Sequence, residues 1–229
     1  MHRHSDAAIV FDLDNTLVHS SINFPSMRRR VLELINEESL QIPTERGVAQ
    51  LATAEIIDLA LTHGASDVLI ARIWAAVTDE ETRGMLRASV EDDAAAVLQT
   101  LKAAGVTLAV LTNNARAAAL AALEQFHILE HLDLVLARDD VPALKPSPAG
   151  LLQARASLAQ TPRLAMVGDA SIDGLAANRA GAPFIAFRPA EAEMDRRGVE
   201  RWSTVQSLSQ IPALVPHLPA ARYLGAVFE

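Results

Sequence analysis

A doubly wound α/β core, built on a mostly parallel sheet and interrupted by a small α-helical domain, is the fold class this sequence predicts. Three observations lead to it. Short apolar runs of strand length end repeatedly in polar residues, as at Asp12, Thr112 and Gly168-Asp169. Segments of helical periodicity separate these runs, the pattern of βα units with right-handed crossovers that cover both sheet faces. The block after the first run is wholly helical and too long to be a βα connection.

Taken in order, Ile9-Val10-Phe11 opens the chain's first strand, apolar at every position as suits a central strand buried on both faces. It delivers Asp12 and Asp14 into a turn through Asn15 and Thr16. Burying two such carboxylates unpaired is costly, so they are expected at the strand's carboxyl end, facing a cation or a polar cleft. That edge is where open α/β sheets bind ligands. Taken alone the stretch also fits an ordinary Asp-rich turn.

Met27, Val31, Leu32, Leu34 and Ile35 then share one face of a helix beginning near Pro25 or Ser26, beside Arg28, Arg29, Arg30, Glu33 and Glu37. Further helices are expected over about 45–61 and 66–76, parted by Thr62-His63-Gly64, where glycine suits a helix stop. An amphipathic helix over about 90–104 ends at Gly105, and residues 106–111 form a second apolar strand ending at Thr112-Asn113-Asn114. Residues 115–126 read as helix, 132–137 as strand, and 138–142 as a loop leading to Lys145-Pro146. A helix over 149–158 precedes a strand over 163–167, which ends at Gly168-Asp169-Ala170-Ser171-Ile172-Asp173. A helix over 174–180 and a strand over 184–187 follow. Beyond Arg188 the pattern weakens to a charged helix over 190–198, a short element plus helix over 205–214, and a tail over 222–229. The expected organisation is a Rossmann-like core domain over 1–19 and 83–229, with a helical cap domain over 20–82.

Composition narrows the function. With 229 residues and 50% hydrophobic content the chain can bury a sizeable core. A net charge of -8 and 4% aromatic residues argue against nucleic-acid binding and favour small substrates. There are no cysteines, which fits a reducing compartment and makes the cytoplasm the expected location. No apolar stretch is long enough to span a bilayer, and no membrane partner is expected. His2 and His4 read as a frayed polar terminus in preference to a metal site. Nothing in the sequence indicates an oligomeric state.

Asp12 and Asp14, Thr112 and Asn113, Lys145, and Asp169 with Asp173 should therefore converge on one sheet edge. Clustered carboxylates repel one another unless a divalent cation neutralises them, and an all-oxygen donor set favours magnesium over zinc. A lysine, a threonine hydroxyl and backbone N–H groups can hold phosphate oxygens. The combination suits phosphoryl transfer.

Asp12-Leu13-Asp14-Asn15-Thr16, Leu111-Thr112-Asn113, Lys145-Pro146 and Gly168-Asp169 through Asp173 resemble, in order and spacing, the four motifs of the haloacid dehalogenase superfamily. The resemblance is to its magnesium-dependent, phosphoglycolate phosphatase-like hydrolases with a helical cap inserted after the first strand. It implies that Asp12 is the nucleophile, forming an aspartyl-phosphate, while Asp14 protonates the leaving alcohol and then activates water. It further implies that Thr112, with Asn113 and a neighbouring N–H, binds phosphate oxygens and that Lys145 offsets negative charge. Mg2+ would be held by Asp12, Asp169 and the Asp14 carbonyl, with Asp173 as a direct or water-mediated ligand or an orienting partner. Asp173 also fits a helix N-terminal acid. Asn15 stands where glycine is frequent, and asparagine tolerates the left-handed turn conformation.

The cap is expected to choose the substrate, a small phosphorylated metabolite. Arg28, Arg29 and Arg30 could meet a second anionic group, although a solvated helix face suits at least two of them. His63 reads as a turn residue and Trp74 as core. A phosphosugar mutase is the alternative within the superfamily, and Asp14, Asp169 and Asp173 speak against a dehalogenase. From a different class, a phosphate-responsive signalling receiver or a non-catalytic binding protein also remains open.

Overall fold

The computed structural model describes residues 6–42, 51, 53–158 and 162–220. It divides into two compact units, one of Met1–Ser20 with Ala88–Glu229 and one of Ser21–Arg87. The first unit is built on a six-stranded sheet. Its strands are β1 (Ala7–Phe11), β4 (Thr107–Leu111), β5 (Leu134–Leu136), β6 (Arg163–Gly168), β7 (Phe184–Phe187) and β8 (Ser203–Val205). They run in the order β5-β4-β1-β6-β7-β8, with every pairing parallel. β1 lies inside the sheet, Ala8 standing opposite Thr107 on one side and Leu164 on the other.

The near-continuous apolar character of β1, β4, β6 and β7 follows from burial on both faces. On one face Ala8, Val10, Ala109, Leu111 and Met166 pack with Leu151 and Ala154 of α6 (Ala149–Ser157) and with Ala176 and Ala177 of α7 (Ser171–Arg179). The alternate residues Ile9, Phe11, Leu108 and Val110 are buried on the other face, where α4 (Ala94–Ala103) packs on β4. α5 (Arg116–Gln125) follows β4, and α8 (Glu191–Arg196) and α9 (Ile211–Leu214) complete the unit. Each large aliphatic side chain so enclosed contributes about 1.5–3 kcal/mol.

The second unit contains α1 (Phe24–Glu37), α2 (Thr53–Thr62) and α3 (Asp67–Met85). Asn23 caps α1, its Oδ1 accepting from the Ser26 N–H at 2.9 Å, and Ser66 caps α3 through the Leu69 N–H at 3.1 Å. Gly64 ends α2 in the left-handed region at φ 87°. Met27, Val31, Leu34 and Ile35 of α1 join Ile56 and Ile57 of α2 and Leu69, Ile73 and Val77 of α3 in this unit's buried set. No helix among the described residues is long and apolar enough to cross a membrane.

Several elements differ from the sequence expectation. α3 continues nine residues past Ala76, because Ile73, Val77 and Met85 keep one buried face in step across Thr78 and Gly84. α2 begins at Thr53, and residues 43–50 and 52, over which the expected helix would start, lie outside the described residues, as do His2, His4 and the expected tail over 222–229. Val90 is not helical: Ser89–Val90 forms β3, which pairs antiparallel with β2 (Val18–His19) in a short ribbon. α7 starts at Ser171, three residues before Gly174, and Ser203–Val205 adds a sixth strand to the sheet.

Candidate active site

The turns that follow β1, β4, β5 and β6 place the acidic and basic residues at the carboxyl edge of the sheet. Asp12 follows β1 directly and stays in register, its N–H donating to the Val167 carbonyl at 2.8 Å. The next residues turn back on themselves. Asn15 takes φ 59°, a conformation asparagine tolerates better than most residues, and its N–H donates to the Val18 carbonyl at 2.6 Å. Asp14 bridges to Val18, and its Oδ1 accepts the Ser20 N–H at 3.2 Å.

Lys145 lies in the turn between β5 and α6, preceding a cis bond to Pro146. Its ammonium, 2% exposed, donates to Asp12 Oδ1 at 2.5 Å and to Asp173 Oδ1 at 2.6 Å. Asp173 also caps its own helix, its Oδ2 accepting the Ala170 N–H at 3.1 Å. The helix-end task and the lysine-binding task are thus divided between its two oxygens. Asn113 clasps the Lys145 backbone from both sides, Nδ2 donating to the Lys145 carbonyl and Oδ1 accepting the Lys145 N–H, each at 2.9 Å. Its amide is therefore engaged in docking the lysine turn. Thr112 is buried, and its hydroxyl oxygen accepts the Asn114 N–H at 3.2 Å, leaving the hydroxyl hydrogen free to donate elsewhere.

The carboxylates of Asp12, Asp169 and Asp173 bring one oxygen each within 4.8 Å of the others. The Asp14 side chain is not in this group. Burial pushes the Asp12 carboxyl well above its ordinary value; Asp173 and Asp169 add to the effect, and Lys145 opposes it without cancelling it. Asp169 is pushed up to about 6, by burial and then by the neighbouring Asp173. Burial also raises Asp14, against the opposing bonds from Ser20. Burial works against the charge of Lys145, but Asp12 and Asp173 outweigh it and hold the ammonium protonated. An all-oxygen set carrying more negative charge than one lysine can offset suits a hard divalent cation.

Sequence reasoning named each of these side chains but missed what orients them. The Ser20 N–H on Asp14 is one such contact. Another is Arg179, which donates to the Pro146 carbonyl at 2.8 Å and so ties α7 to the lysine turn. An arginine on an exposed helix end carries no sequence signal for this role. Within the helical unit, Arg30 is paired with Glu33 and Glu37. Arg29 and Arg30 line a groove between α1 and α3 with Glu33, Glu80 and Arg83. His63 bonds the Leu59 carbonyl from its turn, and Trp74 is half-buried rather than enclosed.

A family model described as haloacid dehalogenase-like hydrolase matches residues 7–181. Phosphoglycolate phosphatase from Cereibacter sphaeroides is 30% identical over 230 residues, covering 93% of this chain and 99% of the relative. Phosphoglycolate phosphatase from Rhodobacter capsulatus is 25% identical over 211 residues, covering 91% and 96%. Among solved structures, a HAD-superfamily hydrolase of subfamily IA from Geobacter sulfurreducens shares the fold, with a TM-score of 0.60 and 22% identity over 91% of this chain and 96% of that one.

Proposed function

The chain belongs to the haloacid dehalogenase-like hydrolases and is a phosphatase, and from that premise we propose that it hydrolyses a small phosphate monoester of the phosphoglycolate kind through an aspartyl-phosphate on Asp12. The observation that carries the reading is the Asp12 carboxylate itself, held at the end of β1 by Lys145 and grouped with Asp169 and Asp173.

In this mechanism an Asp12 oxygen attacks phosphorus while the bond from phosphorus to the alcohol oxygen breaks. Asp14, whose raised carboxyl favours the protonated form, gives its proton to that departing oxygen. Asp14 then takes a proton from water as the water oxygen attacks the aspartyl-phosphate, releasing phosphate and restoring both aspartates. Thr112 donates its hydroxyl hydrogen to a phosphate oxygen, and Lys145 offsets charge on phosphate and nucleophile. Asn113 serves the same phosphate cradle by fixing Lys145. Asp12, Asp169, Asp173 and the Asp14 carbonyl are the groups that would hold Mg2+, which when bound offsets negative charge on phosphate and nucleophile. Substrate choice is assigned to the helical unit. The phosphoglycolate-like substrate is supported by the names of the relatives.

The test is phosphate release from a generic aryl phosphate with Mg2+. Wild type should release inorganic phosphate, a chelator should stop it, and Asp12→Asn should abolish turnover with its circular dichroism unchanged. Wild-type rates in Asp12→Asn would overturn the mechanism. Conversion of a sugar phosphate to its isomer without phosphate release would point to a mutase instead.

A further inference from the structure

The β2–β3 ribbon carries a side-chain cluster that the mechanism above leaves unused. Glu91 immediately follows β3, and its side chain is only 5% exposed. Both of its oxygens are taken. Arg188 donates to Oε1 and Oε2 at 2.7 Å each, a bidentate pairing, and His19 Nε2 lies 2.6 Å from Oε2. Burial alone would raise this carboxyl, but the bonds from Arg188 and His19 outweigh it and hold it below its ordinary value.

Arg188 is itself fixed from several sides. Its N–H donates to the Val205 carbonyl and its Nε to the Gln206 carbonyl, each at 2.9 Å. Its guanidinium carbon lies 4.6 Å from the centre of the Phe187 ring. It also adopts φ 41°, a left-handed conformation that a non-glycine residue keeps only where its surroundings over-determine it. The ribbon is thereby anchored to the carboxyl ends of β7 and β8.

From the ribbon the ties lead to Asp14. The Glu91 N–H donates to the Leu17 carbonyl at 3.0 Å, and Val18 and His19 pair with Val90 and Ser89. Asp14 bridges to Val18, and the Ser20 N–H, one residue beyond His19, donates to the Asp14 carboxylate. Asp12 is held separately, through the main sheet and Lys145. Resting on the acid–base role proposed above for Asp14, we infer that Glu91, clamped by Arg188, is a positioning residue that holds the Asp14 carboxyl in place for proton transfer to the leaving oxygen.

The assignment predicts selective damage. An alkyl phosphate needs a proton on its departing alkoxide, whereas 4-nitrophenolate departs without one. In Glu91→Gln, kcat/KM for an alkyl phosphate should fall about 10–100-fold and that for 4-nitrophenyl phosphate about 3-fold at most, the scale expected when an acid is misplaced but the nucleophile is not. Using kcat/KM confines the comparison to steps through alcohol departure. Arg188→Gln, made at a side chain 44% exposed, should give the same change in ratio and carries the test if Glu91→Gln fails to fold. Arg188→Lys, which keeps charge but not the bidentate pairing, should fall between. Loss of the charge at Glu91 without a change in the substrate ratio, or an equal fall for both esters, overturns the assignment. A wild-type protein that releases phosphate from neither ester overturns the phosphatase reading and this assignment with it.

Discussion

At the scale of single residues, Lys145 joins two carboxylates that would otherwise face each other out of reach of water. Its Nζ bonds both Asp12 and Asp173, and all three side chains are buried. Removing one member of a buried ionic group leaves the others uncompensated, which costs about 3–5 kcal/mol. Lys145→Ala should therefore lower the melting temperature in chelator at neutral pH, and it should reduce aryl phosphate turnover by about 100-fold or more. Thermal melting and phosphate release measured on the same preparation check both. Unchanged melting would mean that Asp12 and Asp173 do not depend on this ammonium for their charge balance.

Among the elements, the turn from β6 into α7 is closely packed against the site. A Cβ on Gly168 would stand 2.5 Å from Asp173 Oδ2 and 2.6 Å from its Cγ, so even one methyl group must push aside the carboxylate that Lys145 holds. Gly168→Ala should weaken Mg2+ binding and turnover together, with the helical signal retained; titration calorimetry and circular dichroism would check it. The same turn illustrates what the sequence makes legible. Apolar runs closing on Asp12, Thr112 and Asp169 announce both strand and site, because a fully buried strand has no alternation to disguise it and polar residues can only appear at its end. β2 and β3, two residues each, are too short for periodicity to register, and β8 is scarcely longer. Glu91 therefore reads as the start of a helix, although its carboxylate faces His19 and Arg188, residues remote in sequence. Val77-Thr78 and Gly84 look like interruptions of α3 because their helix propensity is poor; packing overrides it.

For the whole molecule, the balance of charge at the site links pH, metal and stability. Asp169 sits at about 6 in the folded chain against an ordinary 3.8. A folded value above the unfolded one means that its contribution to stability is full below the unfolded value and is lost as pH rises through the folded one. Metal binding requires the opposite, ionised form, so protons compete with Mg2+ below about pH 6. The rise in melting temperature on adding Mg2+ should be small near pH 5 and grow as pH passes through about 6. A rise independent of pH across that interval would show that these carboxylates do not hold the ion.

The interior position of β1 also bears on how the chain acquires its structure. Ala8 stands opposite Thr107 and Leu164, partners 99 and 156 residues later (107 − 8 and 164 − 8). Such distant pairing gives slow, non-local folding. During synthesis β1 waits longest of the interior strands for its second neighbour: until residue 168 has emerged, Ala7–Phe11 lacks β6, and an apolar edge stays open. The strand that leads into Asp12, the nucleophile of the proposed mechanism, is consequently also the one left longest open to misassociation on the nascent chain.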